Sequence, residues 1–110
     1  MSPFALYQKE RFGLETIEED GAFLVYGFKS PALSIEDIFV PQEKRALGLG
    51  KKLFEEVRKK GIEAGLTLIW TQVQVHSQTC TLALTVALKE GFQVLAANER
   101  SIILTREIGD

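Results

Sequence analysis

The sequence predicts an α/β or α+β domain with a mixed sheet, and two observations carry this prediction. Three or four strand-like segments come first, and a helix, a strand, a second helix and two strands follow them. The 110 residues are 45% hydrophobic and 25% charged, which is typical of a globular chain with one core. We therefore expect one domain over residues 1–110.

Strands joined by turns are predicted for the first forty residues. FALYQKERF and GLETIEE each have the length of a short strand, and Asp20-Gly21 after them is a strong hairpin signal. AFLVYGF and LSIEDIFV are rich in the aromatic and branched residues that favour strands. Pro31 separates these two segments because it lacks a backbone donor.

Two helices are predicted in the second half. The first begins after the glycine pair, and its apolar residues recur every four positions at Leu49, Leu53 and Val57. The second runs from Ser77 to Glu90 and is apolar on most sides, so we expect it to be buried. LTLIWTQVQV between the helices reads as a strand. FQVLA and RSIILTREI predict a final hairpin. We expect its second strand at an exposed edge of the sheet, and we expect the protein to form a homodimer.

Charge and composition argue against several kinds of partner and site. A net charge of −2 argues against a duplex nucleic-acid partner, which would need a basic surface. One cysteine leaves no internal disulfide, and one histidine argues against a zinc site. The first residues lack the pattern of a secretory signal, and the longest apolar run is too short to span a bilayer. We expect a cytoplasmic protein without a membrane partner.

The stretch VPQEKRALGLGKKLFEEV places two glycines directly before a helix. The first turn of a helix has unpaired amide groups and the positive end of the helix dipole, and both suit an anion. Glycine lets a bulky phosphate approach the backbone. Four flanking cations add charged donors: Lys44, Arg45, Lys51 and Lys52. The loop is predicted to bind a phosphate or pyrophosphate, and the alternative is an incidental glycine pair on a solvated basic face.

Two common phosphate loops do not fit this stretch. A Walker A loop needs a glycine where Arg45 stands and a serine or threonine where Lys52 stands. A dinucleotide fingerprint needs a third glycine where Leu53 stands. The loop therefore belongs to another class.

The wider pattern resembles a known family. The motif Arg45-x-x-Gly48-x-Gly50, followed by a helix, a strand and a helix closed by EGF, is similar to the GNAT superfamily of acetyl-CoA-dependent N-acyltransferases over residues 34–92. The resemblance implies acetyl-CoA as the co-substrate. It also implies a mixed, mostly antiparallel central sheet with two main helices, in which LSIEDIFV and LIWTQVQV separate as a V and leave a wedge for the thioester.

The resemblance also implies which residues bind coenzyme A. The end of the central strand would offer backbone groups to the pantetheine arm, and the amides of the glycine loop would bind the pyrophosphate. The implied residues are Phe39, Val40, Arg45, Ala46, Leu47, Gly48, Leu49, Gly50 and Lys51.

Catalysis is less clear from the sequence. The family often has a tyrosine, as the acid for the leaving thiolate, where this chain has Ala87, and an asparagine where it has Cys80. The candidates for acid–base work are Glu36 on the central strand, His76 at the end of the next strand and Tyr26 on a neighbouring strand.

Each candidate has an ordinary structural alternative. Glu36 reads equally as a strand-edge charge, His76 as a loop or helix-cap residue, and Tyr26 as strand packing. Glu36 and Asp37 are adjacent on a strand, so simple alternation places at most one of them in the wedge.

Two functions remain. The first is an N-acetyltransferase acting on a primary amine, such as a lysine or an amino terminus. The second is a non-catalytic module that binds acyl-CoA or serves as a structural or interaction protein. The complete loop favours the enzyme, whereas Ala87 and the lack of two of the family's helices favour the module. The family's two helices between its first strands do not fit here, which indicates an open acceptor site, a macromolecular acceptor, or a wall from a second subunit.

Overall fold

The computed structural model describes residues 1–78 and 80–109. Strands occupy the predicted segments apart from the first. The elements are α1 (Pro3–Phe12), β1 (Glu15–Glu19), β2 (Ala22–Lys29), β3 (Ala32–Phe39), a 3₁₀ helix (Gln42–Leu47), α2 (Leu49–Glu63), β4 (Leu68–Gln74), α3 (Cys80–Lys89), β5 (Gln93–Ala97) and β6 (Ser101–Glu107).

The described strands form one sheet in the order β1-β2-β3-β4-β6-β5. Each neighbouring pair is antiparallel except β3 and β4, which run parallel. This confirms the mixed, mostly antiparallel sheet. The prediction that RSIILTREI forms an edge is wrong, because β6 pairs with β4 on one side and with β5 on the other. The expected homodimer stays a prediction.

The hairpin between β1 and β2 turns at the predicted dipeptide. Glu19 pairs with Ala22, so Asp20 and Gly21 form a two-residue loop. Both have left-handed backbones, with φ of 52° and 85°, as a type I′ turn requires. The local sequence signal is therefore confirmed.

The first segment is a helix, so the prediction of a strand is wrong and the chain has a third helix. The hydroxyl of Ser2 accepts a hydrogen bond from the amide of Ala5 at 3.0 Å, and Pro3 stands in the first turn. Gly13 ends the helix with φ of 70°. An N-cap, a first-turn proline and a terminal glycine together specify a helix, and they outweigh the aromatic content of FALYQKERF.

One core lies between the sheet and α2. The apolar stripe of α2 is buried at Leu53 and Val57, which cluster with Leu33 of β3, Ile69 of β4 and Leu104 of β6. Full burial of such a side chain contributes ~1.5–3 kcal/mol. Side chains alternate between faces along a strand, so these strand residues define one side of the sheet, which we call the helix face.

The helix α3 packs on the same face, but less deeply than its sequence predicts. Ala87 is buried in the core, whereas Val86 and Leu88 are 50% and 49% exposed. The prediction of a buried helix is wrong because one stripe of α3, including Ala83 and Leu84, packs against the core. None of the described helices is long and apolar enough to cross a membrane.

The other side of the sheet, which we call the α1 face, is covered by α1 near β1 and β2. The ring of Phe4 in α1 lies 4.6 Å from the ring of Phe23, which in turn lies 5.6 Å from Phe39. Ser34 and Trp70 are paired on β3 and β4. They alternate with the core residues of their strands and therefore lie on the α1 face.

Candidate active site

The two parallel strands at the centre of the sheet separate part-way along their length. β3 and β4 pair from Ala32–Leu68 to Ile35–Thr71, and the hydroxyl of Thr71 donates to the carbonyl of Ile35 at 3.1 Å. Beyond this point β3 continues to pair with β2 and β4 with β6. The resulting V-shaped opening, between residues 36–39 and 72–74, is the wedge that the sequence analysis expected.

A β-bulge in β3 marks the start of the wedge. Tyr26 of β2 pairs with Ile35 and the adjacent Val25 pairs with Asp37, so Glu36 is the extra residue. Because Val25 and Tyr26 point to opposite faces, Ile35 and Asp37 do so as well. Simple alternation therefore breaks at Glu36, and the sequence argument that Glu36 and Asp37 must point to opposite faces does not hold here.

The carboxylate of Glu36 is held by two neighbours. The hydroxyl of Ser34, which is fully buried, donates to Oε1 of Glu36 at 2.9 Å. The ammonium of Lys29, at the end of β2, lies 3.5 Å from the same oxygen. The side chain of Glu36 keeps 33% of its surface exposed. An oriented, partly exposed carboxylate directly after the last β3–β4 pair can accept a proton from a ligand in the wedge.

Sequence reasoning missed Ser34 and Lys29. Ser34 stands two residues before Glu36, so strand periodicity offered a signal that the two side chains share a face. Lys29 reaches Glu36 only through the β2–β3 pairing, for which the sequence carries no local signal.

The glycine loop has the backbone geometry that an anion site needs. Gly48 precedes α2 with φ of 78°, a conformation that costs other residues about 1–2 kcal/mol. A Cβ at Gly48 would meet no atom within 4 Å, so the backbone angle and not crowding requires glycine. Within the described residues no side chain caps α2, and the amides of its first turn lack intrahelical partners.

Two of the four cations near the loop are engaged elsewhere. Lys44 donates to the carbonyl and to Oδ1 of Asp20 at 2.8 and 2.7 Å. Lys52 donates to Oε1 of Glu19 at 2.7 Å. The hydrogen bond to this carboxylate and its charge raise the pKa of Lys52 above its ordinary value. The sequence predicts four charged donors at the loop, whereas the structure pairs two of them with residues of the β1–β2 turn.

The other two cations occupy different positions. Arg45 donates from Nε to the carbonyl of Val40 at 3.0 Å. This hydrogen bond links the loop to the end of β3. Lys51 lies on the exposed surface of α2 and lines a cavity of about 910 Å³ between α2, the end of α3 and β5–β6. Lys51 therefore faces open space beside the start of α2.

The remaining coenzyme-binding candidates follow the wedge in chain order. Phe39 ends β3 and is 44% exposed, and Leu47 is 71% exposed. Val40 and Leu49 pack against the core. Gly50 approaches Val40, since a Cβ there would lie 3.7 Å from its Cγ2. The side chain of Ala46 lies outside the described part of the chain.

The other two catalytic candidates have different surroundings. Tyr26 is 5% exposed in the core, and burial, together with the charge of Glu15, raises its pKa above the ordinary value. His76 is exposed in the turn that follows β4. Ala87, at the family's usual acid position, is buried in the core. Of the three candidates, Glu36 stands at the point where the strands separate.

Comparison with known proteins adds information on the fold. No family model and no curated protein sequence matches the chain. Solved structures do match. The ribosomal-protein-S18-alanine N-acetyltransferase of Escherichia coli is 21% identical, with a TM-score of 0.70 over 96% of this chain and 74% of that one.

Two further structures give the same result. The PaiA N-acetyltransferase of Thermoplasma acidophilum, solved with coenzyme A, is 13% identical, with a TM-score of 0.76 over 93% of this chain and 65% of that one. A protein from Desulfovibrio desulfuricans assigned to the GNAT family of acetyltransferases is 20% identical, with a TM-score of 0.72 over 84% of this chain and 66% of that one.

The chain therefore has the fold of the GNAT acetyltransferases, as the glycine-loop motif predicted. At these identities the likeness concerns the fold alone. The chain spans just under two thirds of the length of two of these structures, 66% and 65%.

Proposed function

We propose that the protein is an N-acetyltransferase that moves the acetyl group of acetyl-CoA to a primary amine. The observation that carries this proposal is the wedge between β3 and β4, which begins at Glu36 and leads into the glycine loop within a few residues. A fold shared with acetyltransferases, one of them solved with coenzyme A, supports it.

Coenzyme A would bind along this path. The edge of β3 that faces the wedge has no β4 partner beyond Ile35, so the backbone of Phe39 and Val40 is suited to the amides of the pantetheine arm. The amides of the loop from Arg45 to Lys51 suit the pyrophosphate. This path includes Ala46, Leu47, Gly48, Leu49 and Gly50. The cavity beside Lys51 has room for the nucleotide.

The reaction needs an amine, a base and a leaving group. The acceptor ammonium loses a proton to Glu36, its nitrogen attacks the thioester carbon, and the carbon–sulfur bond breaks. The nitrogen gives up its second proton to solvent, which leaves the neutral amide. The coenzyme A thiolate then takes a proton, from water or from the exposed His76. Positioning the reactants contributes about 7–11 kcal/mol, more than the ~10²–10⁴-fold of acid–base assistance. A missing tyrosine at Ala87 is therefore compatible with turnover, and the buried Tyr26 is not used.

The first test is binding, followed by transfer. Calorimetry should detect coenzyme A binding, and free thiol should appear when the protein is mixed with acetyl-CoA and a panel of primary amines. No binding would contradict the ligand and the enzyme together. Binding without transfer to any amine would favour the second candidate, a non-catalytic acyl-CoA-binding module, for which the buried Ala87 is the supporting observation.

A further inference from the structure

An ammonium group already lies at the start of the wedge, and it belongs to the chain itself. Nζ of Lys29 is 3.5 Å from Oε1 of Glu36 and 5.1 Å from the centre of the Trp70 ring. Both distances suit direct attraction of a cation. Trp70 pairs with Ser34 across β3 and β4, one position before the last pair. The three side chains therefore meet on the α1 face, beside the point where the strands separate.

We propose that Glu36 and Trp70 form the binding site for the primary ammonium of the acceptor, and that Lys29 occupies this site as an internal competitor. The inference rests on the proposed function and adds its acceptor class, a primary amine on a flexible alkyl stem. A carboxylate and an aromatic face both attract such an ammonium in proteins. Lys29 shows that the pair accepts one.

The position of the site agrees with this role. The glycine loop leads into α2, which lies on the helix face, so coenzyme A reaches the wedge from that side. Glu36 and Trp70 receive their ammonium on the α1 face. An acceptor at this site approaches the thioester from the side opposite the donor, and the two reactants do not compete for space.

An ordinary surface ion pair is the simpler explanation for Lys29 and Glu36, and such pairs contribute little. The hydroxyl of Ser34 distinguishes the two explanations. It is fully buried and donates to Oε1 of Glu36 at 2.9 Å, so it orients the carboxylate whether or not Lys29 is present. A site that stays oriented without its internal lysine can take another ammonium in the same place.

The transfer step balances with the named reactants. An alkylammonium and acetyl-CoA give an N-acetylamine, coenzyme A and one proton, which passes through Glu36 to solvent. Lys29 must leave the site before the acceptor enters. Removing its charge should lower the KM for alkylamines about 3- to 30-fold, the combined range of an exposed ion pair and a cation–π contact. The effect on kcat should be small.

Trp70 makes the test direct, because it is the single tryptophan of the chain. We would titrate n-butylammonium into the wild type, into Lys29→Met and into Lys29→Met/Glu36→Gln, without acetyl-CoA, and follow tryptophan fluorescence. We expect a saturable change in Lys29→Met, a change at least threefold weaker in affinity in the wild type, and none in the double variant. Glu36→Gln keeps the size of the side chain, Lys29→Met keeps an unbranched stem that is one atom shorter, and thermal melting checks the fold.

Two controls separate this inference from alternatives. Lys59→Met removes an exposed lysine of α2 and should titrate like the wild type. Butanol should give no saturable change in Lys29→Met. A flat titration of Lys29→Met, an equal response of the double variant, or an equal response to butanol would overturn the site. The proposed function fails separately, if calorimetry detects no coenzyme A binding.

If the site is confirmed, transfer assays distinguish the source of the amine. One arm uses a peptide with an internal lysine and an acetylated amino terminus, and the other uses 1,5-diaminopentane. Both carry the same ammonium on an unbranched stem. The substrate whose KM falls in Lys29→Met identifies the source, and an unchanged KM for both would contradict the internal competition.

Discussion

The two sides of the wedge differ in the groups that they offer to a ligand. On the side proposed to bind coenzyme A, called the donor side, the glycine loop offers backbone: a left-handed Gly48 and a start of α2 that no described side chain caps. On the side proposed to bind the acceptor, called the acceptor side, Glu36, Trp70 and Lys29 offer side chains that three different strands bring together. A backbone site depends on one or two dihedral angles, whereas a side-chain site depends on each group that points into it. Single substitutions should therefore affect the two sides in different ways.

The largest effect is expected on the donor side, from Gly48→Asp. The substitution places a side chain at φ of 78° and a negative charge where the pyrophosphate would lie. We expect coenzyme A binding to weaken at least ~100-fold, or about 2.7 kcal/mol, because a charged contact worth ~1.5–3 kcal/mol is lost and the new carboxylate repels the pyrophosphate. Calorimetry measures this directly.

Gly13→Asp is the matched control for backbone strain. Gly13 ends α1 with φ of 70°, and a Cβ there would also meet no atom within 4 Å. The two aspartates should lower the melting temperature by similar amounts, and Gly13→Asp should leave coenzyme A affinity unchanged. Equal loss of affinity in both variants would show that general destabilisation, and not the loop, is responsible.

The next effect is expected on the acceptor side, from Glu36→Gln. Loss of a general base should lower kcat by about 10²–10⁴-fold, while coenzyme A affinity stays the same because Glu36 lies outside the loop. Asp37→Asn is the control, since its carboxylate accepts a hydrogen bond from the adjacent amide of Ile38 and should matter little. Full activity of Glu36→Gln would remove Glu36 from the mechanism and leave His76 as the candidate to test.

The same contrast explains which parts of the site the sequence predicts. Donor-side features are local: a glycine pair before an amphipathic segment is visible in a few residues, and so is the turn at Asp20-Gly21. Acceptor-side features depend on register. The bulge at Glu36 arises from how β3 pairs with β2, and the contact of Lys29 with Trp70 joins residues 41 positions apart. No local pattern encodes either.

The errors in the predicted fold have related causes. The segment FALYQKERF is flanked by the helix signals Ser2, Pro3 and Gly13, and these outweigh the preference of its aromatic residues for a strand. The prediction of β6 at an edge is wrong because no local pattern encodes the order of strands in a sheet, and β6 pairs with β4 as well as with β5. The prediction that four cations serve the loop is wrong because Lys44 and Lys52 bind carboxylates of the β1–β2 turn, over 20 residues away in sequence.

A third prediction concerns stability on the helix face. Ala87→Tyr would place a ring in the core, where Ala87 is 9% exposed, and overpacking costs about 1–3 kcal/mol. Val86→Tyr, one residue earlier and half exposed, should change the free energy of unfolding by less than ~0.5 kcal/mol. Urea unfolding of both variants tests the difference. If Ala87→Tyr is as stable as the parent and releases thiol faster, the ring has reached the thioester and proton supply limits turnover.

The smallest effect tests the electrostatic link between the β1–β2 turn and the donor side. Asp20→Asn keeps an oxygen that can accept from Lys44, and Asn-Gly is a favoured type I′ turn, so the loop should keep its shape. Removing one negative charge beside the loop should tighten coenzyme A binding by roughly two- to fivefold at low salt, the range of an exposed ion pair. At 1 M salt the screening length falls to about 3 Å and the gain in affinity should vanish.

Glu63→Gln is the control, because Glu63 is an exposed carboxylate at the far end of α2. It should give no gain in affinity at either salt concentration. Weaker binding of Asp20→Asn at both concentrations would instead mean that the charge of Asp20 is needed to hold Lys44 and the loop in place.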